Sequence, residues 1–407
     1  MGACLFVSPG YPTEMNFFVR GLAACGVKVV GVGDQPAQAL PEIARRALSG
    51  YLQVENLWDE AATAEAVRRW APSVGGIDRV EVLWEPGMIL GARLREALGC
   101  PGMTVEQTLP FRDKERMKQV IDAAGLRTPR HRRASSEAEV WAAAEAVGYP
   151  LIVKPIAGAG SADTYRCADR QELADALLRT RHVKECSVEE FIEGEEFTFD
   201  TVCSGGRILF HNCSWYRPKP LVARTNEWIS PQTVGLKDLT VPPLQPGIEL
   251  GRKVLAALGF RDGFTHMEWF LTPKGEAVFG EIGGRPPGAR SVDIMNFVCD
   301  ADLFQGWAEG TTHGRISQDL TRRYNVAHIC KRAQGQGVIR RIEGIDRIQR
   351  HFGGWLVVNE LLPVGAHRRD WKQTLLSDGF LIVRHPELST CLAMADRIAS
   401  EVQLHAS

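Results

Sequence analysis

The chain has almost no surplus charge: 48 lysines and arginines stand against 49 aspartates and glutamates, a formal net charge of −1 at pH 7. Binding a polyanion needs an excess of cations, so neither nucleic acid nor an anionic membrane is an expected partner. CxxC pairs are also missing. The ten cysteines are scattered from Cys4 to Cys391, which fits reduced thiols better than a disulfide framework or a zinc site and makes a cytoplasmic setting the expectation. The opening MGACLFVSPGYP has neither a basic leader nor a long apolar core, and Phe6 stands where a myristoylation signal takes Ser or Thr. No apolar run approaches the length that spans a bilayer. GxxxxGK[ST], GxSxG and HExxH do not occur, which removes the commonest nucleotide, hydrolase and zinc-protease signatures. With no internal repeat and no low-complexity linker, a chain of 407 residues reads as about two or three globular domains whose partners are small molecules.

The run ACLFVSPG reads as a buried strand, EMNFFVRGLAACG as a helix and VKVVGVGD as a second strand, the start of a doubly wound α/β unit with a parallel sheet. GVGDQP resembles the opening of a dinucleotide fingerprint, but Pro36 takes the place of its third glycine and it follows the second strand, so an ordinary strand-to-loop turn is the reading. RVEVLWEPG and GARLREALG repeat the strand, loop and helix order. A first domain over 1–110 follows. FRDKERMKQVIDAAG and SEAEVWAAAEAVG then read as helices, and PLIVKPI, SVEEFI, EFTFDTVCS and RILFHNCSW as strands in succession, an α+β arrangement. WLVVNELL and GFLIVRH read as further strands, and LSTCLAMADRIASEVQ as a closing helix.

Chemistry concentrates in four places. In HMEWFLTPKGEAVFGEIGGRPPGAR, Thr272-Pro-Lys-Gly275 has the residues of a tight turn, which sets Glu268 opposite Gly280 or Glu281 on paired strands. His266 and Glu268 share one face, as do Glu281 and Gly283, so the register can put both acids on the same side. Two close carboxylates repel unless a cation lies between them, and magnesium, which takes one or two carboxylates plus phosphate oxygens, is the natural ion. The residues alone leave a solvated strand face open. PLIVKPIAGAGSADTY carries Lys154 ahead of a small-residue loop from Ala157 to Thr164, suited to phosphate but also to a plain hairpin. SVEEFIEGEEFTFD can offer main-chain groups to a base edge and a later carboxylate to ribose hydroxyls, or be a solvated acidic turn. HNCSWYRPKPLVARTNEW, at 211–228, mixes aromatics, prolines and cations and reads as a mobile loop across the site; Lys219 and Arg224 either approach the phosphates and substrate or are solvated.

FRDKERMK, LIVKP with its Gly-rich loop, VEEFIEGEEF, and HMEW with GEIGGRP follow one another in an order that resembles the ATP-grasp superfamily of carboxylate-amine ligases, over nearly the whole chain. The resemblance implies an α/β and α+β multidomain fold: a Rossmann-like N-terminal domain (1–110), a two-lobed ATP-grasp domain (111–315) and a small C-terminal α+β domain (316–407). It implies that Lys114 and Lys154 hold the ATP phosphates, with Lys154 also near adenine, and that Gly158, Gly160 and Ser161 belong to a flap over the β- and γ-phosphates. Glu189, Glu190, Phe191 and Ile192 would read adenine, and Glu196 would take the ribose. Glu268 and Glu281 would ligate the metal. Lys154 and Arg285 are the expected catalytic residues, Arg285 neutralising the transferring phosphoryl group, and Arg290 is a candidate for the substrate carboxylate or a surface ion pair.

The family usually has asparagine two residues beyond the second acid, where this sequence has Gly283. ATP and Mg2+, with Mn2+ as an alternative ion, are the implied cofactors. The implied activity joins a carboxylate to an amine, both small molecules of amino-acid type, through an acyl-phosphate. A purine-pathway or biotin-carboxylase-like enzyme, or an ATP-binding protein without catalysis, are the alternatives. Related ligases are often dimers, so a homodimer is an expectation of the resemblance alone.

Overall fold

Ala3–Val7 is apolar and buried at every position, the signature of a strand covered on both faces. The computed structural model, which describes residues 2–157, 163–374 and 376–407, sets this strand inside a four-stranded parallel sheet. Its order is Gly50–Gln53, Val29–Gly33, Ala3–Val7, Ile77–Glu81. The expected parallel unit is therefore present. Chain order reverses between Ala3–Val7 and Ile77–Glu81, so the loops after these two strands part and leave a crevice at their carboxyl ends. Trp84 and Glu85 lie just beyond the second of them, and the helix Met88–Leu98 follows and closes on Gly99 at φ +66°.

A second sheet is antiparallel, in the order His131–Ala134, Cys186–Glu190, Leu151–Pro155, Tyr165–Cys167. The helices Glu137–Val147 and Arg170–Arg179 share its apolar cluster through Val140, Ala144, Leu173 and Ala176. A third, larger sheet runs Ala277–Gly283, Gly263–Leu271, Glu195–Ser204, Ser214–Arg217, Gln232–Gly235, Asn325–Cys330, Gly379–His385, Leu356–Leu361, with Arg207–Asn212 pairing off Glu195–Ser204. Asn325–Cys330, Leu356–Leu361 and Gly379–His385 thus continue the sheet that begins with the hairpin at 263–283, while Gln334–Gly335, Gln403–Ala406 and Ile339–Glu343 form a separate three-stranded sheet. A division near residue 315 falls within one continuous sheet.

Alternation divides that sheet's two faces. Phe197, Phe199, Met267, Trp269 and Phe279 point to the core shared with the helix Gln245–Ala257. Residues at the intervening positions, Glu196, Thr198, Asp200, His266 and Glu268, stand on the other face. Further along that polar-bearing face, Val202 and Phe264 pack with Phe18, Ile294 and Trp307, which docks the first domain there. The segment expected to be a mobile loop at 211–228 is instead the strand Ser214–Arg217 followed by the helix Pro220–Thr225. The strand pairs along its length with Gln232–Gly235, and this pairing absorbs the backbone groups that the composition suggested were free. All ten cysteines are free thiols. No described helix is long and apolar enough to cross a membrane.

Two glycines set how closely the helix Gln245–Ala257 approaches the sheet. A Cβ at Gly247 would lie 2.1 Å from the Trp269 ring, and one at Gly251 would lie 2.2 Å from Phe199. Overpacking of this kind costs about 1–3 kcal/mol. Gly247→Ala should therefore lower the unfolding free energy extrapolated from urea titration by that margin; an unchanged free energy would show that the contact is not tight.

Candidate active site

The hairpin of Gly263–Leu271 and Ala277–Gly283 closes through the expected turn. Gly275 N–H donates to Thr272 O at 2.8 Å, and Thr272 N–H donates to Glu276 O at 2.9 Å. Gly275 has φ +78°, which glycine adopts without strain. Counting back along the ladder, Glu268 faces Glu281 and His266 faces Gly283. The register slips after Glu268, so Trp269 pairs with Phe279 and Gly280 is the extra residue. A side chain at Gly280 would meet the Glu268 carbonyl oxygen at 2.8 Å, so the bulge that brings the two acids face to face needs glycine.

Cations reach Glu281 from two other elements. Asp113 caps the helix Lys114–Ala123 by accepting from the Glu115 and Arg116 N–H groups, and Lys114 then points its Nζ to 3.5 Å from Glu281 Oε2. Lys154, near the end of Leu151–Pro155, places its Nζ 4.0 Å from the same oxygen and 3.0 Å from Glu189 Oε2. Burial favours a neutral Glu281, but the charges of Lys114, Lys154 and Lys118 outweigh it and hold the carboxyl below its ordinary range. Lys118 Nζ lies 2.9 Å from Glu189 Oε1, and both side chains are almost fully buried. The same contest between burial and the charges of Lys118 and Lys154 keeps Glu189 ionised.

Glu268 has different company. Tyr216 donates its hydroxyl to Glu268 Oε1 at 3.0 Å, and His266 Nε2 lies 3.5 Å from that oxygen. His266 Nδ1 contacts Asp200 Oδ1 at 2.6 Å. Burial lowers the histidine's affinity for a proton, yet the hydrogen bonds to Asp200 and Glu268 prevail and raise its pKa to about 9. Glu196 stands on the neighbouring strand opposite Phe270; burial, and then the charges of Glu268 and Glu281, push its pKa up.

Two cavities meet at this pair. The first, about 910 Å³, is lined by Lys114, Lys154, Glu189, Glu190, Phe191, Ile192, Glu196 and both hairpin acids, with Ile152, Leu221 and Phe270 as apolar walls. The second, about 1090 Å³, is lined by Glu268 and Glu281 again, with Arg285, His266, Arg224 and Arg332. Lys219 lines the first cavity and Arg224 the second, so the 211–228 segment does border the site. Glu190 lines the first cavity while its carboxylate accepts from Arg127 at 3.2 Å. Gly158, Gly160 and Ser161 lie outside the described residues.

Arg290 does not line either cavity. Its guanidinium pairs with Asp293 and lies 3.5 Å from Glu360, and its backbone N–H donates to Glu14 at 3.1 Å. It occupies an ion pair rather than a free position for a substrate carboxylate. Arg285 sits in the second cavity with Nη2 2.6 Å from Glu85 Oε2, and Arg112 binds the other oxygen of Glu85 at 2.6 Å. The sequence reading missed Glu85, Asp200, Tyr216 and Lys118 as parts of the site. Lys118 had a signal, since it lies four residues after Lys114 on one helix face.

Residues 111–215 match the model of the ATP-grasp domain family. Among curated proteins it is 29% identical over 222 residues to an L-arginine-specific L-amino acid ligase of Bacillus subtilis, covering 53% of each chain. It is also 38% identical over 120 residues to D-alanine–D-alanine ligase B of Xanthomonas campestris pv. campestris, covering 28% of this chain and 37% of that one. The chain thus spans about half, or less, of the length of these relatives. Its fold is shared with the crystal structure of an L-amino acid ligase from Bacillus licheniformis at a TM-score of 0.79 and 21% identity, over 100% of this chain and 99% of that one.

Two outcomes follow from the geometry. Folded His266 holds its proton to about pH 9, whereas an unfolded imidazole releases it near about 6.5. Its stabilising share is therefore complete below about pH 6.5 and disappears as the pH rises through 9. Denaturant titrations of the metal-free chain should show that decline, and His266→Asn should lack it; equal slopes would mean that the imidazole is neutral. Gly283 has no positive φ, and a Cβ there would meet only Arg285 side-chain atoms, at 3.4 Å. Gly283→Asn should fold with a thermal midpoint within a few degrees of the parent, by circular dichroism.

Proposed function

We propose that the chain is an ADP-forming ligase that joins a carboxylate to an amine, both of amino-acid type, through an acyl-phosphate. The observation that carries this reading is the meeting of two cavities at one pair of opposed carboxylates. ATP would lie in the first, its base between the apolar walls and beside the main chain of 189–192, its ribose at Glu196 and its phosphates toward Lys114 and Lys154. The carboxylate substrate would lie in the second, next to Arg285.

Magnesium fits this donor set. Among the described residues, no group of three or more His, Cys, Asp or Glu is arranged to hold an ion by itself, so phosphate oxygens and water would complete a shell begun by Glu268 and Glu281. When bound, the ion supplies neutralisation of charge on the terminal phosphates. The chain's own residues do the rest. Lys114 and Lys154 fix the phosphate oxygens, and Arg285 faces the charge that develops on the transferring group. A substrate carboxylate oxygen attacks the γ-phosphorus, the bond to the bridging oxygen breaks and ADP leaves. The amine of the second substrate then attacks the acyl carbon; the carbon–oxygen bond to phosphate breaks, phosphate departs and the amine loses a proton. Walls on both sides of the junction keep water from the acyl-phosphate.

Pairs of amino acids added with ATP should release ADP and phosphate. Glu281→Ala should cut that release by at least about a hundredfold while thermal unfolding shifts little. Retention of most activity would mean that the ion is held elsewhere. Tight ATP binding with no release for any pair would favour a nucleotide-binding protein without catalysis.

A further inference from the structure

The second cavity contains a histidine that the ligase reading does not use. His328 sits within the strand Asn325–Cys330, opposite Thr233 on one side and Ile382 on the other, and is 2% exposed. Its ring packs on Phe380 with centroids 4.6 Å apart, and its Nδ1 faces the Cys330 thiol at 3.9 Å. Nε2 is buried with no hydrogen-bond partner among the described residues, although the side chain lines the cavity. Buried polar atoms are nearly always paired, so an unpaired one on a residue that lines a cavity points to a partner that arrives with a ligand. Burial, and then the charge of Arg290, hold the imidazole neutral, with a pKa of about 3.

Arginines outnumber acids on this cavity's wall, although Arg285 is itself paired with Glu85. Arg224, Arg285 and Arg332 line the cavity, and apart from Glu268 and Glu281 no described acid does. Glu281 is already shared between Lys114 and Lys154, and Glu268 is engaged by Tyr216 and His266. Arg332 is anchored by the carbonyls of Ala223, Asn226 and Glu227, so its charge is a fixed feature of the wall. A side-chain ammonium or guanidinium entering here would meet Arg224 and Arg332 and, among the described lining residues, no carboxylate without another partner. An entering carboxylate would meet the cations and an N–H donor.

We infer that the second cavity selects an amino acid whose side chain ends in a carboxylate, with His328 Nε2–H donating to that terminal oxygen as the specificity-determining contact. The assignment rests on the reading of this cavity as the ligase's substrate site, but its test needs no turnover. The full chain, saturated with Mg2+ and a non-hydrolysable ATP analogue, would be titrated calorimetrically with L-glutamate and L-lysine. Glutamate should bind at least about tenfold more tightly than lysine, and His328→Leu should lose about tenfold in glutamate affinity. His328→Gln, which keeps a donor, should recover part of that loss, and the analogue's affinity for each variant reports whether it has folded. Lysine binding as tightly as glutamate, glutamate affinity untouched in His328→Leu, or no binding of either amino acid overturns the inference. Phosphate release is measured apart from this: glutamate bound without any release would sink the ligase reading and leave the binding assignment standing.

Discussion

Two carboxylates opposed across an antiparallel ladder are the constraint around which the rest is arranged. Side chains directly opposite on paired strands lie about 5 Å apart, and two unit charges at that distance repel by about 3 kcal/mol at an effective dielectric of about 20. The hairpin relieves this only in part, through His266 beside Glu268. The rest comes from other elements: lysines from the helix Lys114–Ala123 and the strand Leu151–Pro155 approach Glu281, while Tyr216 donates to Glu268. Because Lys154 belongs to the smaller antiparallel sheet and Glu281 to the larger one, the charge contact also ties the two lobes' positions across the first cavity.

A second buried charge cluster anchors the segment 189–192 at the first cavity. Glu189 is shared by Lys118 and Lys154 at 2.9 and 3.0 Å, in surroundings where Lys118 is wholly buried. Removing one member of such a group leaves an uncompensated interior charge, which costs far more than a surface pair. The carboxylate of Glu189 is therefore committed, Glu190 is committed to Arg127, and what this segment has left to present at the cavity wall is backbone, Phe191 and Ile192.

The hairpin was legible because its information is local. Turn residues at fixed positions and a period of two sufficed to bring Glu268 opposite Gly280 or Glu281, and the bulge at Gly280 decided between them. The parallel sheet was legible for a similar reason, since Ala3–Val7 and Val29–Gly33 are unbroken apolar runs. What escaped depends on long-range pairing. Arg285 meets Glu85 across 200 residues of sequence, and nothing near either residue announces the other. The union of Gln232–Gly235 with Asn325–Cys330 likewise has no local mark, so the sheet was divided where it is continuous. At 211–228 the composition of a loop was overruled by partners on both sides, Gln232–Gly235 and, at Trp215, Phe197. For Arg290 the sequence left a substrate contact and an ion pair open, and Asp293 three residues on takes its guanidinium.

The glycine at 283 now has a structural meaning. A Cβ there would touch Cγ and Nε of Arg285 at 3.4 Å, so the volume next to the second acid is bordered by a guanidinium stem rather than by a side-chain oxygen. Arg285 carries a permanent charge, and Glu85, itself held by Arg112, fixes where that charge points. Glu85 stands at the carboxyl end of the parallel sheet, in a different domain from the hairpin. Where the resemblance implies an amide ligand, this hairpin has instead a neighbouring cation whose aim is set by Glu85. Charge on a transferring phosphoryl group would then be met by one fixed cation in place of a metal-ligating amide, and the first domain becomes part of the electrostatics of the site as well as of its walls.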